Sequence, residues 1–189
     1  MDNSIIEKTL ACLREGGVIL YPTDTIWGIG CDASNAEAVE KIYSIKRREH
    51  SKSMLILADR DTFRTNNADI DRLLLDPTRP TTVIMPVALL PEGITLAANM
   101  PASDGTIGVR LPQHDFCLKM IRGLGQPIVS TSANFSGQPS PTRYEEIAEE
   151  LKSTVDYCVP NSAETAAGGS CGSKIVKVEE NGDITVIRE

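Results

Sequence analysis

Apolar residues at Ile5, Ile6, Leu10 and Leu13 follow the spacing of one helix face, which predicts a helix over residues 4–14 stopped by Gly16-Gly17. The continuous apolar run at 18–21, ended by Pro22, predicts a buried strand, and 27–31 reads as a second short strand or a tight connection. Helical spacing returns at 35–45, with Ala38, Ile42 and Ile45 on one side and Ser34 or Asn35 as the cap. Residues 54–57 form a compact strand pattern, 59–75 one or two short helices, and 76–80 a loop. Strand patterns at 81–86 and 106–111 flank an irregular stretch at 90–104; a helix at 115–122 and a strand at 128–130 follow. Residues 144–152 predict one amphipathic helix, and 154–159, 174–178 and 184–187 predict strands. Asn181-Gly182 between the last two is a hairpin signal. Helices and strands intermingle, and a terminal hairpin rules out a purely parallel sheet. The expected fold class is therefore α/β: one domain over residues 1–189, with a twisted, mixed, open sheet flanked by helices.

Composition narrows the setting. A chain of 189 residues with 41% hydrophobic content can bury a core as one domain. Its first residues show no basic segment followed by an apolar run, and no apolar stretch approaches the ~20 residues that cross a bilayer. Cys12, Cys31, Cys117, Cys158 and Cys171 stand singly, which suits a reducing compartment and argues against a disulfide framework or a zinc site. A cytoplasmic location with no membrane partner and no bound metal is expected. The net charge of −7 counts against a protein that coats nucleic acid. Cations nevertheless crowd into Lys41, Lys46, Arg47, Arg48, His50 and Lys52, while Glu145, Glu146, Glu149 and Glu150 form an acidic face. The asymmetry predicts a local anion site and leaves the anion unnamed.

Candidate chemistry concentrates in residues 127–142. An apolar strand runs into Ser130, Thr131, Ser132, Asn134, Ser136, Ser140 and Thr142, with Gly137, Pro139 and Pro141 fixing the turns. Such a set of neutral donors suits phosphate oxygens. Lys46-Arg47-Arg48 ends the second helix, where basic residues also complement the helix dipole. Lys46, Arg48 and Lys52 put three cations at one junction, more than capping requires, and predict a phosphate site, with Arg47 facing solvent. Thr23, Asp24 and Thr25 follow the first buried strand, where ligands commonly sit in α/β proteins; Trp27 reads as core. Arg110 ends an apolar strand and either pairs with a core carboxylate or points into a pocket. Arg79 reads as a solvated loop residue, and residues 168–173 as a glycine-rich loop without a P-loop pattern. His50 and His114 suggest neither a metal site nor a catalytic triad. An inventory of cations, hydroxyls and amides suits a reaction run by positioning and charge stabilisation, such as nucleotidyl transfer.

With these segments assembled, the chain resembles the Sua5/YrdC/YwlC (YrdC-like) family of threonylcarbamoyl-AMP synthases in its short, single-domain form. The matching motifs are Tyr21-Pro-Thr-Asp-Thr25, Lys46-Arg47-Arg48, Pro80-Thr-Thr82, Ile107-Gly-Val-Arg110, Ser132-Ala-Asn134 and Ser173-Lys-Ile-Val176, in the family's order along nearly the whole chain. The resemblance implies a nucleotidyltransferase that takes L-threonine, bicarbonate or CO2, and ATP. It releases pyrophosphate and L-threonylcarbamoyladenylate, which a tRNA-modifying transferase complex uses at the adenosine beside the anticodon. By position it implies Thr25, Arg110 and Ser173 as threonine contacts. It implies Arg48, Lys52, Thr106, Ser132, Asn134, Ser140 and Arg188 as ATP contacts, with Lys46, Arg48, Ser132 and Asn134 carrying the chemistry. ATP is a substrate, and Mg2+ is expected to arrive with it.

The chain departs from the family pattern at Glu49, in place of a common proline, at Arg79, in place of glycine, and at Lys177, in place of aspartate. Leu57 stands where archaeal members carry histidine. The alternative reading is a non-catalytic RNA-binding factor of translation or ribosome maturation.

Overall fold

The computed structural model describes residues 3–47, 54–161, 172–179 and 182–189. The chain runs α1 (Asn3–Arg14), β1 (Ile19–Tyr21), β2 (Gly28–Gly30), α2 (Ala36–Lys46), β3 (Leu55–Leu57), α3 (Ala68–Leu74), β4 (Thr81–Pro86) and β5 (Thr106–Arg110). It continues through α4 (Asp115–Leu124), β6 (Ile128–Ser132), α5 (Glu149–Lys152), β7 (Tyr157–Cys158), β8 (Lys174–Val178) and β9 (Ile184–Arg188). The strands form a single sheet in the order β7-β1-β2-β6-β3-β5-β4-β8-β9. Pairing is mixed: β1–β7, β3–β5 and β4–β8 are parallel, and the other neighbours are antiparallel.

Side chains alternate across a strand, so each strand divides between two faces. One face carries an aliphatic row in register, Val129–Ile56–Val109–Val83–Val176, every member at most 1% exposed. Ala38, Val39 and Ile42 of α2 and Ile70 and Leu74 of α3 belong to the same core cluster. Asn35 caps α2 by accepting from the backbone N–H groups of Glu37 and Ala38, and Asn67 caps α3 in the same way. The opposite face is covered at one end only. There Ile19, Tyr21, Leu57 and Ile128 pack under Leu13 of α1 and Phe116, Cys117, Met120 and Ile121 of α4. Burying each such side chain contributes roughly 1.5–3 kcal/mol.

Two expectations change. Residues 144–152 are a 3-10 turn, Tyr144–Glu146, and the four-residue α5, separated by Ile147 and Ala148 at ψ 126° and 132°. Glu146 caps the start of the first turn, its carboxylate accepting from the backbone N–H groups of Thr142 and Arg143. The strand expected to end at Ser130 runs on to Ser132. The β8–β9 hairpin forms as expected, although Asn181 lies outside the described residues.

Candidate functional site

The helix-free end of the second face is a cleft of about 320 Å³. Its floor is made of two registered rows. Ser130, Leu55, Gly108 and Ile84 lie side by side on β6, β3, β5 and β4. The next row begins under α4 with Ile128 and Leu57, then continues in the open as Arg110, Thr82, Ile175 and Arg188. Gly108 keeps the floor low, since a Cβ there would stand 3.1 Å from that of Leu55. The described lining contains hydroxyls from six of the chain's serines and threonines on β4, β6 and the 23–25 turn, among them Thr25, Thr82, Ser130 and Ser132. It contains no carboxylate.

The two arginines bound the part of this row that lines the cleft, three strand spacings apart, or about 14 Å. Arg110 is 3% exposed; one terminal nitrogen donates to Asp24 Oδ1 at 2.9 Å and to Thr25 Oγ1 at 2.8 Å. Asp24 also accepts from the Gln113 backbone N–H at 3.1 Å, so the carboxylate is held from two sides. Arg110 is thus both paired and cleft-facing, which joins the two alternatives left open by the sequence. Thr25 shares a 3.0 Å hydroxyl contact with Thr23, whose own hydroxyl donates to the Ile26 carbonyl and closes the turn.

Arg188 is held differently. Its Nε and Nη2 donate to the Ser173 carbonyl at 3.1 and 2.6 Å, and Ser173 Oγ meets Thr82 Oγ1 at 2.7 Å. Gly172 makes room, since a Cβ there would lie 2.7 Å from the guanidinium. Beneath the floor, burial pushes the Tyr21 phenol far above its ordinary range, and a hydrogen bond with Ser130 offsets part of this. Burial, with Asp24 nearby, likewise raises the Cys117 thiol, which stays protonated.

Beside the cleft, Lys46 is 2% exposed, and its ammonium donates to the carbonyls of Ser132 at 2.6 Å and Asn134 at 2.8 Å. The Asn134 amide donates in turn to the Gln138 carbonyl at 2.5 Å. Arg47 closes α2 in the left-handed region at φ 51°, with its guanidinium over the Phe135 ring and paired with Glu150 at 2.9 Å.

Comparison with known proteins gives this geometry a context. The Sua5/YciO/YrdC family, described as telomere recombination, matches residues 11–189. A threonylcarbamoyl-AMP synthase of Pseudoalteromonas translucida is 30% identical over 186 residues, covering 97% of each chain. The chain belongs to the Sua5/YciO/YrdC family. Two solved structures agree with the fold. P. abyssi Sua5 complexed with L-threonine has a TM-score of 0.79 at 24% identity, covering 100% of this chain and 54% of that one. E. coli YciO has a TM-score of 0.76 at 23% identity, covering 100% and 90%.

Within this family frame, the expected site residues divide into groups. Thr25, Arg110, Ser173, Ser132, Ser140 and Arg188 line the cleft. Lys46 and Asn134 were expected on phosphates; among the described residues their polar groups bind the loop itself, and neither lines the cleft. Thr106 also lies off the lining. Its hydroxyl donates to Asp104 at 2.6 Å, a bond that, first among several, holds the Asp104 carboxyl below its usual range. Arg48 and Lys52, as well as Glu49, His50 and Cys171, fall outside the described residues.

Arg47 faces solvent as expected, its side chain 71% exposed. Arg79 is an exposed loop residue as expected, and it also pairs with Glu189 at the end of β9 at 2.8 Å. Lys177 pairs with Asp104 at 3.2 Å. Trp27 is buried as expected, yet it also walls the cleft, with Tyr144 packed edge-on at 5.0 Å. In the sequence, Ser130, Asp24 and Thr82 fall among the candidate donors, in the ligand-edge turn and in a matching motif, but none is assigned to threonine or to ATP. Ser130 and Thr82 line the cleft, and Asp24 holds Arg110. Among the described residues no group of His, Cys, Asp or Glu side chains is arranged to hold a metal ion, and no helix is long and apolar enough to cross a membrane.

Proposed function

We propose that this chain makes L-threonylcarbamoyladenylate from L-threonine, bicarbonate or CO2, and ATP, releasing pyrophosphate. The observation that carries the reading is a cleft walled by hydroxyls and two arginines, with no carboxylate in its described lining, in a chain whose family relatives bear this enzyme's name. ATP, bicarbonate and the threonine carboxylate are anionic, so a described lining free of acids matches them. In the proposed reaction, threonine's amine adds to CO2 and loses a proton, giving a carbamate. A carbamate oxygen then attacks the α-phosphate of ATP, and the bond to pyrophosphate breaks. The nucleophile belongs to the substrate, so the protein contributes orientation and compensation of charge.

In this reading Arg110, Thr25 and Ser173 hold threonine, its carboxylate toward the guanidinium and its hydroxyl toward Thr25. Arg188, Ser132 and Ser140 face the nucleotide, joined by Arg48 and Lys52. Lys46 and Asn134 act on the reaction by fixing the backbone on which Ser132 stands. Mg2+ would enter with ATP, held by phosphate oxygens and water, since the cleft's hydroxyls and guanidinium groups do not form a protein cage for it. The product would pass to a tRNA-modifying transferase complex.

The test is incubation of the chain with ATP, L-threonine, bicarbonate and Mg2+, with pyrophosphate and the adenylate measured. Release should require all three substrates, and valine should replace threonine very poorly because it lacks the hydroxyl. Pyrophosphate release that ignores threonine, or equal turnover of valine, would overturn the reading. RNA binding without any turnover would favour the alternative factor.

A further inference from the structure

Arg188 reaches the cleft through an irregularity at the edge of the sheet. Val186 lies opposite Val176 and Ile184 opposite Val178, both partners being buried on the aliphatic face. Strict alternation would carry residue 188 to that same face. Instead the register slips: Ile175 on β8 is matched by Arg188, so β9 spends one extra residue, Ile187, between two consecutive positions of its partner. The slip turns Arg188 to the cleft side, where Ile175 also lies.

A bulge leaves a residue unpaired, and β9 is an edge strand whose five residues are all exposed. Something must therefore hold the chain beyond the bulge. The residue after Arg188 supplies the hold. Glu189 accepts from Arg79 at 2.8 Å and lies 3.3 Å from the Lys174 ammonium, bridging the loop before β4 and the first residue of β8. Lys174 directly follows Ser173, whose carbonyl takes Arg188.

We propose that Glu189, gripped by Arg79 and Lys174, is a positioning residue that keeps Arg188 turned into the cleft. The inference rests on the proposed reading of that cleft as the nucleotide site. It also gives a role to Arg79, which departs from the glycine of the family pattern. The bridging groups are 25–65% exposed, so their hold is modest and weakened by salt.

The experiment compares Glu189→Gln, Arg79→Ala and the double variant in the full chain. Steady-state constants for ATP and threonine are measured at low and high salt. The exchange protection of the Arg188 Nε–H proton is followed by NMR. Glu189→Gln should raise KM for ATP about three- to fivefold at low salt, with kcat and the threonine KM within about twofold of the parent. High salt should narrow the gap, and the double variant should be no worse than Glu189→Gln, because both remove one network. Nε–H protection should fall in Glu189→Gln. An unchanged ATP KM, additive effects in the double variant, or a parallel shift of the threonine KM would overturn the proposal. If the parent chain releases no pyrophosphate, the functional reading fails by itself. The NMR signal then decides: retained protection in Glu189→Gln overturns the positioning role, and lost protection supports it.

Discussion

Arg110 and Arg188 stand in one row across the sheet, at the two sides of the cleft floor, yet they are different kinds of arginine. Arg110 is on an interior strand, buried, and neutralised by a carboxylate that is itself 9% exposed. Arg188 is on the edge strand and bound to a neutral carbonyl, so its charge is uncompensated by that bond. The pairing at Arg110 fixes a guanidinium in one orientation at the cost of binding the folded state to a buried ion pair. The arrangement at Arg188 leaves positive charge available to an incoming anion and contributes little to folding. The first is architecture that also presents a donor; the second is a charge delivered to the cleft.

The comparison is most directly broken at Arg110. Arg110→Met should lower stability by roughly 3–5 kcal/mol, because it strands Asp24 as an unpaired buried carboxylate. Adding Asp24→Asn should recover a large part, read as a return of the urea midpoint. A loss below about 1 kcal/mol for the single variant would mean that Arg110 and Arg188 do not differ as described.

Arg188→Ala should show the converse pattern. Its urea midpoint should stay within about 1 kcal/mol of the parent, while kcat/KM for ATP falls about 10–100-fold, the range expected for one charge-assisted hydrogen bond. Equal losses in stability and turnover would place Arg188 beside Arg110 as a structural residue.

Arg47 sharpens the contrast as a third arginine with neither role. Its guanidinium meets Phe135 and Glu150 in solvent, and its backbone occupies the left-handed region, where glycine is unstrained. In Arg47→Gly the lost surface contacts and the relieved backbone should nearly cancel, leaving stability within about 1 kcal/mol and pyrophosphate release unchanged. A turnover loss approaching that of Arg188→Ala would show that α2's end reaches the site.

Much of the fold was legible because it rests on local pattern. The cap Asn35 sits just before helical spacing begins, and the short apolar runs that became β1, β3, β4 and β5 carry their own boundaries. The helix expected at 144–152 is broken at Ile147 and Ala148, whose extended backbone at ψ 126° and 132° the periodicity does not carry. Of the residues that line the cleft, Thr25, Arg110, Ser132 and Ser173 lie in the motifs that carried the resemblance, while Ser140 and Arg188 were carried over by position alone. Lys46 and Asn134 looked the same in sequence, but their groups turned inward to loop carbonyls. A lysine at a helix end reads identically whether its ammonium meets solvent, a phosphate or two backbone oxygens.

By itself, then, the sequence determined most of the strand and helix segments, that the sheet is mixed, and which hydroxyls and cations are candidates for an anion site. Spacing, turn chemistry and charge are properties of neighbours along the chain, so they need no tertiary partner to be expressed. Only the tertiary structure decided which face of the sheet stays uncovered. That depends on α1 and α4 packing over one end of it and stopping short of Gly108 and Thr82. It also decided that Asp24 meets Arg110 across 86 residues, and that one extra residue in β9 turns Arg188 from the core side to the cleft. A register is a relation between strands distant in sequence, and a slip of one position reverses the face on which a side chain stands.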